Sequence, residues 1–106
     1  MTISILQDTI YTLIKQTDVF ATWLKGLRDH TARGSIVRRI ERMKLGNFGD
    51  QKSIGDGVSE LRIDVGPGYR VYFTKRGQEI VILLCAGDKK TQSKDIRQAR
   101  ELAAHY

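Results

Sequence analysis

The stretch Gly57-Val58-Ser59-Glu60-Leu61-Arg62-Ile63-Asp64-Val65-Gly66-Pro67-Gly68-Tyr69-Arg70-Val71-Tyr72-Phe73 constrains this chain more than any other. Two runs of alternating apolar and polar residues flank Gly66-Pro67-Gly68, which predicts a β-hairpin. Glycine tolerates positive φ, and proline presets φ for the leading corner of a turn. With those residues as the turn, Val65 faces Tyr69, Ile63 faces Val71 and Leu61 faces Phe73. The other face then pairs Asp64 with Arg70, Arg62 with Tyr72 and Glu60 with Thr74. A slip of one residue would mix the two sets, so pattern and turn length support each other. One face is left for a core, and one open face carries Arg, Tyr and Thr.

The remainder of the chain must supply what covers the apolar face. At 106 residues with 41% hydrophobic content, the chain reads as a single domain over 1–106 that can bury a core. Its longest apolar run, Ile80 to Ala86, is strand-sized and far short of the ~18 residues of a membrane span. Met1 to Thr9 lacks a basic start and carries Asp8, so no leader is read there and a cytoplasmic location is expected. The one cysteine, Cys85, lies inside that apolar run and reads as a small core residue rather than a nucleophile. His30 and His105 are far apart, so neither a metal site nor a cofactor is expected. The informative number is the net charge of +6, which points to an anionic partner such as nucleic acid, an acidic protein or an anionic membrane surface.

Residues 1–9 read as an N-terminal arm or an extra strand, and Ile10 to Gln16 as the first strand. Thr17-Asp18 offers an N-cap to a helix with Val19, Phe20, Trp23, Leu24 and Leu27 at helical spacing, ending near Arg28-Asp29. A second helix is predicted from Thr31 to Leu45, with Gly46 as its stop. Ala32, Ile36, Ile40 and Met43 form its apolar stripe, with Val37 beside them and Arg33, Arg38, Arg39, Arg42 and Lys44 elsewhere on its surface. Gly46 to Gly57 reads as a loop. Gln51-Lys52-Ser53 lacks the glycine of a phosphate-binding Gly-Lys-Ser loop, and Gly46-Asn47-Phe48-Gly49 does not join two helices as a KH loop must. Both nucleotide motifs are therefore excluded. A turn at Lys75 to Glu79 leads into the apolar strand Ile80 to Gly87, whose composition predicts an enclosed place in the sheet. Counting from that turn puts Leu84 beside Arg70 and Gly87 near the Pro67-Gly68 corner. Asp88 to Gln92 then emerges at the Tyr69–Arg70 end, and a last helix follows with Ile96, Ala99, Leu102 and Ala103 as its stripe. The fold class is α+β: a small antiparallel sheet of about four strands packed on an N-terminal helical hairpin, with a C-terminal helix.

This arrangement brings Arg62 and Arg70 together on the open face, with Lys89 or Lys90 at its rim and Lys52 within reach. Guanidinium groups bind phosphate through paired donors, and Tyr69 or Tyr72 can stack on a base. Such a cluster can neutralise the charge of a pentavalent phosphate without a metal. A plainer reading stands beside it: Asp64 opposite Arg70 is equally a cross-strand ion pair, and Tyr69 equally a packing residue. Glu60 and Asp64, beside arginines, would both stay ionised, which argues against a glycosidase pair.

Gly55-Asp56-Gly57-Val58-Ser59-Glu60-Leu61-Arg62-Ile63-Asp64 followed by Gly66-Pro67-Gly68-Tyr69-Arg70-Val71-Tyr72 resembles the signature of the addiction module killer protein family, the HigB-like branch of the RelE/ParE toxins. Gly46 to Asp50 and Gly87 to Ile96 fit the same pattern, and the likeness covers about residues 11–104. The resemblance implies a toxin of a bacterial type II toxin–antitoxin pair, held inactive by an antitoxin, in this branch usually a small helix-turn-helix protein. It implies a metal-independent, ribosome-dependent endoribonuclease that cuts mRNA by attack of the 2′-hydroxyl on the scissile phosphate. By position Arg70, Arg62 and Lys89 are its catalytic candidates, and Lys52, Tyr69, Tyr72, Lys90 and Gln92 its RNA-binding candidates. Relatives often carry a terminal Tyr or His as acid or base; here His105 and Tyr106 lie past the usual place. The alternative is a ParE-like, non-enzymatic inhibitor of DNA gyrase. A third is a phage or plasmid remnant that binds antitoxin without activity.

Overall fold

The computed structural model describes residues 12–106; the expected arm over 1–9 and the start of the expected strand over 10–16 lie outside the described residues. The strand itself, β1, spans Leu13–Gln16. Thr17 ends it and begins helix α1, Asp18–Gly26, by accepting the Phe20 N–H on its hydroxyl, which itself donates to the Leu84 carbonyl at 2.6 Å. Helix α1 stops at Gly26, earlier than Arg28-Asp29, because Asp29 is needed as the N-cap of α2, His30–Lys44, where it accepts from the Ala32 N–H at 3.0 Å. Gly46, at φ +82, closes the helix as expected.

Among the described residues the sheet has five strands in the order β1-β5-β4-β3-β2, antiparallel except for β1 against β5. The others are β2 (Gln51–Gly55), β3 (Val58–Ile63), β4 (Tyr69–Arg76) and β5 (Ile80–Asp88), and a 3-10 turn at Lys89–Thr91 leads into α3, Gln92–His105. The segment expected to be a loop from Gly46 to Gly57 thus contains an edge strand. Its side chains are nearly all exposed, so it carries no apolar alternation to betray it.

Two registers correct the sequence reading. In the β3–β4 hairpin Leu61 pairs with Val71, Arg62 with Arg70 and Ile63 with Tyr69, so Asp64 does not face Arg70 and Val65 does not face Tyr69. The connection is longer than Gly-Pro-Gly because the Val65 N–H turns back to the Ile63 carbonyl at 3.0 Å and leaves the ladder. Gly66, at φ +56, takes the leading corner in place of Pro67, and the Gly68 N–H closes the turn on the Val65 carbonyl at 3.0 Å. The slip is by two residues, which changes every partner and preserves every face. In the β4–β5 hairpin Arg76 already pairs with Ile80, and a bulge at Tyr72/Phe73 adds a further step. Gly87, not Leu84, therefore stands beside Arg70.

Phe20, Ala32, Ile36 and Met43 of the helical hairpin pack on Leu61, Ile63, Val71, Phe73, Val81 and Leu83. The second face is not open along its length: α3 covers it through Ala99, with Ile96, Leu102 and Ala103 partly buried, against Val58, Tyr72, Ile82, Leu84 and Cys85. Only the end of this face nearest the β3–β4 turn is left for solvent. The expected stripes hold, except that Val19 is 37% and Val37 41% exposed.

Candidate phosphate-binding site

An open pocket of about 310 Å³ lies at that end, lined by Asp50, Arg62, Asp64, Arg70 and Lys89. Each group is delivered by a different local device. Arg62 and Arg70 are directly opposed on β3 and β4, a like-charge pair that would weaken a hairpin unless each charge had a counterion. Each has one. Arg62 donates to Asp50 Oδ1 from Nη2 at 2.7 Å and from Nε at 3.1 Å, and that hydrogen bond, then the Asp50 charge, raises its pKa further above the ordinary arginine value. Arg70 lies 3.8 Å from Glu60 Oε2 through Nε. Its side chain is 14% exposed, and the Glu60 side chain 6%.

Asp50 reaches Arg62 because a third arginine shapes its loop. Arg39 on α2 donates to the carbonyls of Arg62 (2.7 Å), Phe48 (3.1 Å) and Asp50 (3.4 Å), tying α2, β3 and the loop before β2 together. Its partial burial lowers its pKa against the raising pull of Asp50, yet it stays a cation at any physiological pH. Lys89 follows β5 directly, and its aliphatic stem crosses Gly68: a Cβ there would lie 2.8 Å from Lys89 Cε, on a backbone at φ +83.

Of the sequence-derived site residues, the structure brings Arg62, Arg70 and Lys89 to one pocket. Lys52, on β2 opposite Glu60, is exposed but not among the pocket's lining, and exposed Lys90 is also outside it. Gln92 points its amide at Glu60 Oε2, 3.3 Å away. Tyr72 is fully buried under α3, with its hydroxyl unpartnered, and burial followed by the Glu60 charge pushes its pKa well up. It cannot stack on a base in this conformation. Tyr69 is 7% exposed and meets Trp23 edge-on at 5.9 Å. His105 and Tyr106 are far from the pocket, because Arg76, at the opposite end of β4, holds the carbonyls of Ala103 (2.9 Å) and Tyr106 (2.8 Å). Sequence reasoning missed Asp50 and Arg39, and read Glu60 as a neighbour of Thr74 and half of a rejected carboxylate pair, not as the partner of Arg70. A strand assigned at Gln51–Gly55 would have placed Asp50 beside Arg62, but nothing in its composition announces one.

A helical hairpin on one face of a mostly antiparallel sheet and a C-terminal helix on the other define a RelE-like α+β fold. A free-state structure of the E. coli toxin RelE, carrying two arginine-to-alanine substitutions, superposes with a TM-score of 0.63 over 84% of this chain and 98% of that one, at 13% identity. The chain belongs to the phage-derived protein Gp49-like (DUF891) family, whose profile matches residues 22–104. It is 54% identical over 90 residues to an uncharacterized protein of Haemophilus influenzae (strain Rd), spanning 85% of this chain and 91% of the relative.

Proposed function

We propose that this chain is a HigB-like toxin of a type II toxin–antitoxin pair, and that it cleaves mRNA on the ribosome without a metal. The observation that carries this reading is the meeting of Arg62, Arg70 and Lys89 around one open pocket, with the two guanidiniums opposed across adjacent strands. The RelE-like fold and the net charge of +6 support it.

A phosphodiester seated between the arginines meets paired donors whose charge is already fixed, so little reorganisation is required when negative charge grows on the equatorial oxygens. The 2′-oxygen attacks phosphorus, forming a 2′,3′-cyclic phosphate, and the P–O5′ bond breaks. The 2′-hydroxyl proton leaves to water or to Asp64, the lining carboxylate that Arg62 does not hold. Lys89 returns a proton to the 5′-oxygen. The antitoxin partner covers the cationic end with acidic or apolar side chains, and the toxin acts in the cytoplasm.

The test is induction of the chain in cells followed by primer extension on abundant mRNAs. Wild type yields codon-linked cuts. Arg62→Ala, which removes a half-exposed side chain, and Arg70→Lys, which keeps charge but loses the planar fork, each lower cleavage by about 100-fold. An SOS response with intact mRNA would instead favour gyrase inhibition and overturn the ribonuclease reading.

A further inference from the structure

Two buried side-chain groups among the described residues lack a hydrogen-bond partner, Arg70 Nε and the Tyr72 hydroxyl. Both adjoin Glu60: Tyr72 is its cross-strand partner, and Arg70 Nε lies 3.8 Å from Oε2. Unsatisfied buried groups are uncommon in folded proteins, and two beside one buried carboxylate call for an explanation. Burying Glu60 at 4% exposure is itself costly, and an alternating strand could have placed an apolar residue there at no loss of register.

We infer that Glu60 is a positioning residue for phosphate binding: its carboxylate lies behind Arg70 Nε at ion-pair rather than hydrogen-bond distance and keeps the guanidinium at the pocket, where Nη1 donates to the Tyr69 carbonyl at 3.5 Å and Nη2 is left for a ligand. The inference rests on the phosphate-site reading above. An arginine left free would be drawn away from the opposed Arg62 and would lose rotamer freedom on meeting a ligand. Glu60 removes both difficulties before ligand arrives. Asp50 does the same for Arg62 from the solvent side, but at 55% exposure its grip is screened by water and salt. The two arginines are therefore unequal: Arg70 is set in advance and Arg62 is adjustable. Oε2 also accepts from Gln92 Nε2 at 3.3 Å, so a purely architectural role for Glu60, anchoring the start of α3, is the competing account.

Two measurements decide between them. The first follows solvent exchange of the Arg70 Nε–H proton by NMR. The second is the affinity for a trinucleotide whose sugars are all 2′-deoxy, which carries the phosphates but has no 2′-hydroxyl to attack them. Glu60→Ala is expected to speed that exchange and to weaken the trinucleotide by about tenfold, the scale of a lost charged partner. Arg70→Ala should weaken it equally, and the double variant no further, since the two act as one unit. Glu60→Gln, which keeps shape and an acceptor, should lose about threefold and serves if the alanine variant does not fold. Thr91→Val, which cuts another anchor at the start of α3, its hydrogen bond to Asp95, and is no part of the binding set, should stay within about twofold of wild type. Additive losses for Glu60 and Arg70, unchanged Nε exchange, or a Thr91→Val loss as large as that of Glu60→Ala would overturn the positioning role. Unchanged affinity in Arg70→Ala, with Nε exchange still governed by Glu60, would overturn the phosphate-site reading and leave the Glu60–Arg70 tie standing.

Discussion

Where β5 passes beneath the first turn of α3, the Gly87 backbone lies against Thr91 and Asp95. An added Cβ would come 2.6 Å from Thr91 Oγ1 and closer still to Asp95 Oδ2. Those two side chains are hydrogen-bonded to each other at 2.5 Å, so neither can step aside alone. Gly87→Ala should therefore lower stability by about 1–3 kcal/mol, the usual range for overpacking. Adding Asp95→Ala should return part of that loss, and urea unfolding of the two variants checks both. The glycine's role was not legible, because it depends on a helix that begins only after a register-shifting bulge. Cys85 was legible: it is 1% exposed, and burial followed by the nearby Asp95 pushes its thiol up to about 12. The thiolate is the reactive form, so iodoacetamide at pH 8 should modify Cys85 only after denaturation. Rapid modification of the folded chain would contradict its burial.

Elements with an apolar face announced themselves, and those without did not. The two N-terminal helices and the last helix follow period 3.6, β3 and β4 follow period 2, and β5 is an unbroken apolar run from Ile80 to Ala86. β2 shows none of these patterns, since only Ile54 among Gln51–Gly55 is even partly buried. Its position is set by Arg39, whose guanidinium spans the carbonyls of Arg62, Phe48 and Asp50. Long polar side chains give no periodic signal of such a task, so this arginine read as part of a solvated helix face. A lysine has the charge but cannot reach three carbonyls in one plane. Arg39→Lys should accordingly free the loop over residues 46–50 and loosen the Asp50–Arg62 pair, with a loss of about 1–2 kcal/mol. Hydrogen exchange should show faster amides in that loop and little change in α1. Unchanged protection there would mean that the loop holds itself. Turn length was the other illegible quantity, because Gly-Pro-Gly is compatible with more than one connection and only the backbone bond from Val65 to Ile63 selects between them.

At the scale of the whole molecule, charge and alkaline stability can be read together. The net charge of +6 is legible from composition, but the meeting of Arg62, Arg70 and Lys89 beside Asp50 and Asp64 at one pocket required the registers. The packing of α3 over the second sheet face also buries two weak acids, Tyr72 and Cys85. Both have pKa values raised mainly by burial, from ordinary values of 10.0 and 9.0. The folded chain thus keeps protons that the unfolded chain gives up. Their contribution to stability is complete below pH 9 and falls as pH rises toward 12, with a slope of at most about 1.4 kcal/mol per pH unit for each group. Tyr72→Phe separates the hydroxyl from the ring. Because that hydroxyl is buried without a partner, its removal should leave stability at pH 8 unchanged or slightly higher, and should flatten the decline above pH 10. Urea unfolding of wild type and Tyr72→Phe at pH 8, 9.5 and 11 measures both effects. If the variant instead loses more than about 1 kcal/mol at pH 8, the hydroxyl has a partner, and the unsatisfied cluster behind Arg70 is smaller than the geometry indicates.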